Sequence, residues 1–123
     1  MILGCLLVAS CQRKAPNYGP SEAEVKIDRL GKLRNEIAAL TPPRGCQKVS
    51  ECKAHPLGYN RCGGPRQFVV YCTQGVDGEA LQRKSDELHK LEEEEAKSQG
   101  EPPPCKKAVE PQVELVDGSC RSK

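Results

Sequence analysis

The placement of its cysteines constrains this chain more than any other feature. Eight are present, and six of them lie beyond residue 40: Cys46, Cys52, Cys62, Cys72, Cys105 and Cys120. Structural zinc sites draw on close cysteine pairs, whereas the shortest gap here, Cys46 to Cys52, holds five residues. The two histidines do not repair this, because His55 falls in a turn-rich stretch and His89 in a predicted helix. A redox Cys-x-x-Cys is also missing. The pattern therefore predicts three disulfides formed in an oxidising compartment, with no metal and no cofactor. The order of six cysteines does not choose among their possible pairings.

Covalent bridging answers a shortage elsewhere. The chain has 123 residues, enough for one modest domain. It contains one phenylalanine, Phe68, and no tryptophan, and much of its apolar content sits in the first ten residues. A core built from the remainder would be marginal alone. Each bridge could add about 2–4 kcal/mol, comparable to the net stability of a small domain.

The amino terminus points to export. Ile2 to Ser10 is too short for a membrane-spanning helix but matches the apolar part of an export signal. Val8-Ala9-Ser10-Cys11 is a lipobox-like run: one aliphatic residue, two small ones, then the cysteine that would carry lipid. Composition then turns polar and proline-containing, as in a tether. No Lys or Arg precedes the apolar stretch, so the expected signal either starts upstream of Met1 or is truncated in this copy. Residue 12 is glutamine rather than an aspartate of the inner-membrane retention type, which favours the outer membrane. The expected division is a signal over 1–10, a lipidated tether over 11–20 with Cys11 as the anchor, and one domain over 21–123. Cys5 would leave with the signal.

Within the domain, Ser21 and Glu24 form a capping-box signal for a helix over 21–40. Its stripe is Val25, Ile27, Leu30, Leu33, Ile37 and Leu40. Thr41-Pro42-Pro43-Arg44-Gly45 ends it. Residues 46–72 read as a cysteine-rich loop and a strand. A brief strand is expected near Ala54–Leu57, and Arg66–Cys72 should be central in the sheet. Asp77 opens a second helix over 77–98 with Ala80, Leu81, Lys84, Leu88 and Leu91 inward and Glu92–Glu95 as a solvated, fraying end. Gly100 to Pro104 is a linker. The carboxy-terminal segment 105–121 holds extended pieces at Val109 and Val113–Val116, with Asp117-Gly118 as a turn. The fold class expected is α+β: a small disulfide-stabilised domain with two main helices and a small antiparallel sheet.

Cys46-x5-Cys52, Pro56-x-Gly58, Cys62-Gly63-Gly64-Pro65 and the strand ending at Tyr71 resemble a family of small bacterial lipoproteins and secreted proteins of unknown function. Cys105, Pro111 and Gly118-Ser119-Cys120 match its carboxy-terminal features. The resemblance implies an exported domain with a helix before the first cysteine and another after the strand. Two positions depart from it. The family usually has serine where this chain has Cys72, and often a further cysteine where this chain has Leu115. At least one bridge should therefore be wired differently. The family supplies no catalytic residues.

Function classes narrow accordingly. A formal charge of +2 from 19 basic and 17 acidic residues gives no strong attraction for nucleic acid. No phosphate loop, paired-carboxylate pattern or His-Glu-x-x-His helix is present, so no catalytic residue and no enzyme activity are expected. Two readings remain. In the first, a loop over Cys52–Pro65 presents His55, Leu57, Tyr59, Asn60 and Arg61 to a ligand, since a pinned loop binds with less ordering cost. Arg44, Lys48, Lys53, Arg61 and Arg66 make this stretch basic, suiting an acidic envelope protein or polysaccharide. In the second, the loop only supports a structural envelope lipoprotein.

Overall fold

The structure is a computed structural model that describes residues 21–100 and 104–123. The expected signal at 1–10, the lipid site Cys11, the tether at 11–20 and most of the linker at 100–104 lie outside the described residues.

Helix α1 spans Glu22–Leu40, and the Ser21 hydroxyl accepts the Glu24 N–H at 3.2 Å. At its end the Thr41 hydroxyl donates to the Ile37 carbonyl at 2.9 Å, and Pro42-Pro43 can supply no further helical N–H. A short 3-10 turn, Val49–Glu51, leads into β1 (Cys52–Leu57). This strand pairs antiparallel with β2 (Gln67–Cys72), from Cys52 opposite Cys72 to Leu57 opposite Gln67. Helix α2 spans Gly78–Ser98, with the Asp77 carboxylate accepting the Ala80 N–H at 3.0 Å. Strands β3 (Val113–Val116) and β4 (Ser119–Ser122) form a second hairpin. Asp117 (φ 50°) and Gly118 (φ 77°) close it, and two successive positive φ values make the type I′ turn that suits strand twist.

The described residues form a small α+β domain stapled by three disulfides, with two separate two-stranded sheets. Strand alternation divides it into layers. Leu57, Val69 and Tyr71 face the helices and pack with Leu30, Ile37, Leu81 and Leu88. On the other face Cys52, Val70 and Cys72 meet Cys46, Cys120, Val113 and Leu115. The bridges Cys46–Cys72 and Cys52–Cys120 occupy the layer between the hairpins, while Cys62–Cys105 lies in the loop region. Sulfur thus takes the place of the large side chains that the composition lacks. Among the described residues no helix is long and apolar enough to cross a membrane.

Several expectations need correction. Strand β2 is not central: among the described residues it has one strand partner, and only Cys72 extends the pairing outward, donating its N–H to the Pro42 carbonyl at 2.8 Å. The brief strand at Ala54–Leu57 starts two residues earlier, at Cys52. Val109 is 85% exposed and lies outside any strand, whereas Ser119–Ser122 is one. The stripe of α1 is buried only from Leu30 onward, with Val25 50% and Ile27 62% exposed. On α2 Lys84 is partly buried and paired with Glu36, and Ser85 and Glu92 join the buried face. The acidic run is therefore not all solvated.

Candidate functional site

The nine residues between β1 and β2 fold against the far end of α2, and Glu92 is what holds them. Its carboxylate, 9% exposed, accepts the Tyr59 N–H at 3.0 Å through Oε1. Through Oε2 it accepts from Arg34 of α1 at 3.0 Å, with Arg66 at 3.9 Å. The chain must pass close to this carboxylate. At Gly58 (φ 80°) a Cβ would fall 2.5 Å from Glu92 Oε1, so neither the backbone conformation nor the space admits a larger residue. The Gly58 carbonyl accepts from His89 Nδ1 at 3.1 Å, which fixes a proton on that ring nitrogen. The Tyr59 ring meets His89 edge-on with centroids 5.5 Å apart.

Asn60 organises the tip. Its N–H donates to the Gly64 carbonyl at 3.1 Å, and its Oδ1 accepts the Cys62 N–H at 2.9 Å. Its Nδ2 donates to the Lys106 carbonyl at 2.7 Å, beside the Cys62–Cys105 bridge. Arg61 turns toward α2, where Nη2 donates to the Ala96 carbonyl at 2.8 Å and to Gln99 Oε1 at 2.9 Å. A cation at that position satisfies an end carbonyl and complements the helix dipole. Asn60 and Arg61 are thus committed inward, although both still line the adjoining cleft.

That cleft, about 660 Å³, lies between the loop, the start of α1 and the end of α2. Arg34, Arg61, Arg66 and Lys106 line it against Glu92 and Glu95, with Ile27, Leu30 and Tyr59 among its apolar parts. The balance of charge on its walls is cationic.

The structure brings Tyr59, Asn60 and Arg61 together but sets His55 and Leu57 apart. Leu57 is 7% exposed and belongs to the core rather than to a binding loop. His55 lies on β1, not in a loop, and points to the helices: its Nε2 is 2.8 Å from Ser85 Oγ and its ring stands edge-on to Tyr71. The Ser85 hydroxyl has one proton, which it donates to the Leu81 carbonyl at 2.7 Å. It must then accept from His55 Nε2–H, so His55 is a donor here and not a base that could activate the serine. Burial holds the His55 pKa below its ordinary value, against the opposing pull of Asp86.

Among the described residues one group has metal-like geometry, the sulfurs of Cys46, Cys52 and Cys120, within 4.8 Å of one another. All three are in disulfides, and a disulfide sulfur is not the thiolate that ligates a metal. Sequence reasoning missed Glu92, Arg34 and His89. The signal for Glu92 was its phase: Leu81, Ser85, Leu88 and Glu92 follow three- and four-residue steps and share one helix face. Comparison with known proteins yields no match to a family model, to a curated protein or to a solved structure.

Proposed function

We propose that this is an exported cell-envelope protein, anchored by lipid on Cys11, whose domain binds an acidic ligand in the cleft beside the Gly58–Arg66 loop. The observation that carries the binding reading is the way the loop is held. Glu92 grips its start, Asn60 ties its tip to Lys106, and Arg61 joins it to the end of α2. A preformed cleft with four cationic side chains against two carboxylates suits an acidic protein segment or envelope polysaccharide. The reading of export draws on the Val8-Ala9-Ser10-Cys11 run and on six domain cysteines all in disulfides. The resemblance to small bacterial lipoproteins points the same way, with the outer membrane as the favoured destination.

One observation favours a second reading. Asn60 and Arg61 are both consumed by internal bonds, as expected if the loop only supports a structural lipoprotein. Capture from envelope extract by the wild type and by Tyr59→Ala plus Arg66→Ala separates the two. Loss of capture supports the cleft; identical capture leaves the structural reading. Palmitate labelling of the wild type against Cys11→Ala tests the anchor, and an unlabelled wild type expressed behind an intact basic start would sink it.

A further inference from the structure

Between β2 and β4 lies a slot shaped for a strand, and the described residues fill only one end of it. Three bonds define the filled end. The Cys72 N–H donates to the Pro42 carbonyl at 2.8 Å, the Cys120 N–H to the Pro43 carbonyl at 2.7 Å, and the Gly45 N–H to the Gly118 carbonyl at 3.0 Å. Residues 42–45 therefore run between the two hairpins as a short extended piece, with Arg44 bridging Ser119.

These bonds also fix the phase of both strands. In an antiparallel ladder the N–H and C=O of alternate residues turn away from the partner strand. Since Cys72 faces away from β1, so do Val70 and Phe68. The register agrees, because Phe68 lies opposite Pro56, which has no N–H to give. By the same alternation Ser122 faces away from β3, as Cys120 does. Among the described residues the outward N–H groups of Phe68, Val70 and Ser122 find no backbone partner.

Beyond residues 42–45 the slot continues as an open groove of about 530 Å³ along these same residues. Ile37, Leu57, Phe68, Val70 and Leu88 give it apolar walls, and Ala38 lines its helical side. Among the described residues its only charged lining ones are Arg34 and Arg121, with side chains 48% and 60% exposed. Both lie toward the open end: Arg34 stands about two turns before the helix terminus at Thr41, and Arg121 follows Cys120 outward. The carboxylates that pair with them, Glu92 and Glu114, do not line the groove.

We propose that this groove binds an extended peptide of a partner protein by strand addition along β2. The peptide carries apolar side chains at alternate positions and a carboxylate that meets Arg34 and Arg121. Main-chain hydrogen bonds supply affinity in this mode, and the pockets for alternate side chains supply specificity. An unpaired strand edge with apolar walls is otherwise an aggregation hazard that proteins cover or charge. This groove shares Arg34 with the loop cleft, but neither Tyr59 nor Arg66 lines it, so the two readings can be tested apart.

The test is a titration of the isotope-labelled full chain, followed by amide NMR and hydrogen exchange. The probe is a capped peptide alternating valine and threonine with glutamate first or last, taken to millimolar concentration. Saturable shifts at Phe68, Val70 and Ser122, with new exchange protection at Phe68 and Val70, are the expected result. Methylating the peptide's inward amides, or blocking the groove with Ala38→Arg at an exposed helical position, should weaken binding at least roughly tenfold. Tyr59→Ala plus Arg66→Ala should leave it unchanged, so loss of the loop reading would not count against this one. Absence of saturable shifts with either peptide overturns the proposal. So does protection of Phe68 and Val70 in the free protein, whether it vanishes on removal of residues 1–20 or on dilution. The first would give the slot to the chain's own amino terminus, the second to another copy.

Discussion

Replacing Cys52 and Cys120 together by alanine, and separately Cys62 and Cys105, distinguishes two ways in which a disulfide can hold this fold. The bridges span 68 and 43 residues. Loop-closure entropy varies only with the logarithm of that span, so each should contribute about 4 kcal/mol, with the longer ahead by less than about 0.5 kcal/mol. Burial separates them much further. Cys52 and Cys120 are 5% and 2% exposed and pack in the layer between the hairpins, whereas Cys62 is half-buried and Cys105 is exposed. Truncating the inner pair removes packed sulfur as well, at an extra cost of about 1–2 kcal/mol. It also frees β3–β4, a two-stranded hairpin of the kind that is marginal alone. Urea unfolding near neutral pH, with the remaining bridges verified by peptide mapping, measures the difference. The Cys52/Cys120 variant should be the less stable by about 1–2 kcal/mol, and the exchange of the Gly45 and Cys120 amides should accelerate. Equal losses, or a greater loss from Cys62/Cys105, would refute the view that buried sulfur serves as core.

Other perturbations follow from single residues. A Cβ on Gly31 meets nothing within 4 Å among the described residues, so Gly31→Ala should stabilise the protein by about 1 kcal/mol in the same assay; no gain would mean that α1 is not helical there. Glu92→Leu removes the acceptor of the Tyr59 N–H and the partner of Arg34, and should cost about 2–3 kcal/mol and expose the Tyr59 amide to exchange. Glu92→Gln, which can still accept, should cost clearly less, and equal costs would count against the role given to this carboxylate. For His55 the folded pKa is depressed below 6.5, so the unfolded chain takes up the proton first on acidification. Its share of stability is complete above 6.5 and is lost as pH falls through the folded value. Urea midpoints measured between neutral pH and the onset of carboxylate protonation should fall for the wild type and fall less for His55→Gln. An unchanged slope in the variant would contradict the shift.

Local chemistry explains what could be read from the residues in order. Ser21, Asp77 and the Pro42-Pro43 pair bound the helices because caps and missing N–H groups act within a few residues. Asp117-Gly118 specifies a hairpin for the same reason, since two positive φ values select its turn. The lack of large side chains and the even set of six spaced cysteines implied a disulfide-held α+β domain. Pairing was a different matter. Cys52 and Cys72 stand directly opposite on β1 and β2, yet each bonds elsewhere, to Cys120 and Cys46. That choice depends on where residues 42–46 and the β3–β4 hairpin come to rest, which is a property of the assembled layers.

The candidate site was legible in part, for a related reason. Tyr59, Asn60 and Arg61 sit in a stretch rich in glycine and proline, and they do line a cleft. Nothing in their order shows that Asn60 and Arg61 turn inward, or that one glutamate of four in a row is buried beneath them. Charge alone makes Glu92–Glu95 look uniform; the helical phase singles out Glu92 only once the face of α2 is known. Six spaced cysteines were enough to require cross-linking, because spacing and number are local facts. Which sulfurs became core, and which strand edge the described residues leave without a partner, only the packing of helices and hairpins could decide, because both depend on contacts between residues far apart in the chain.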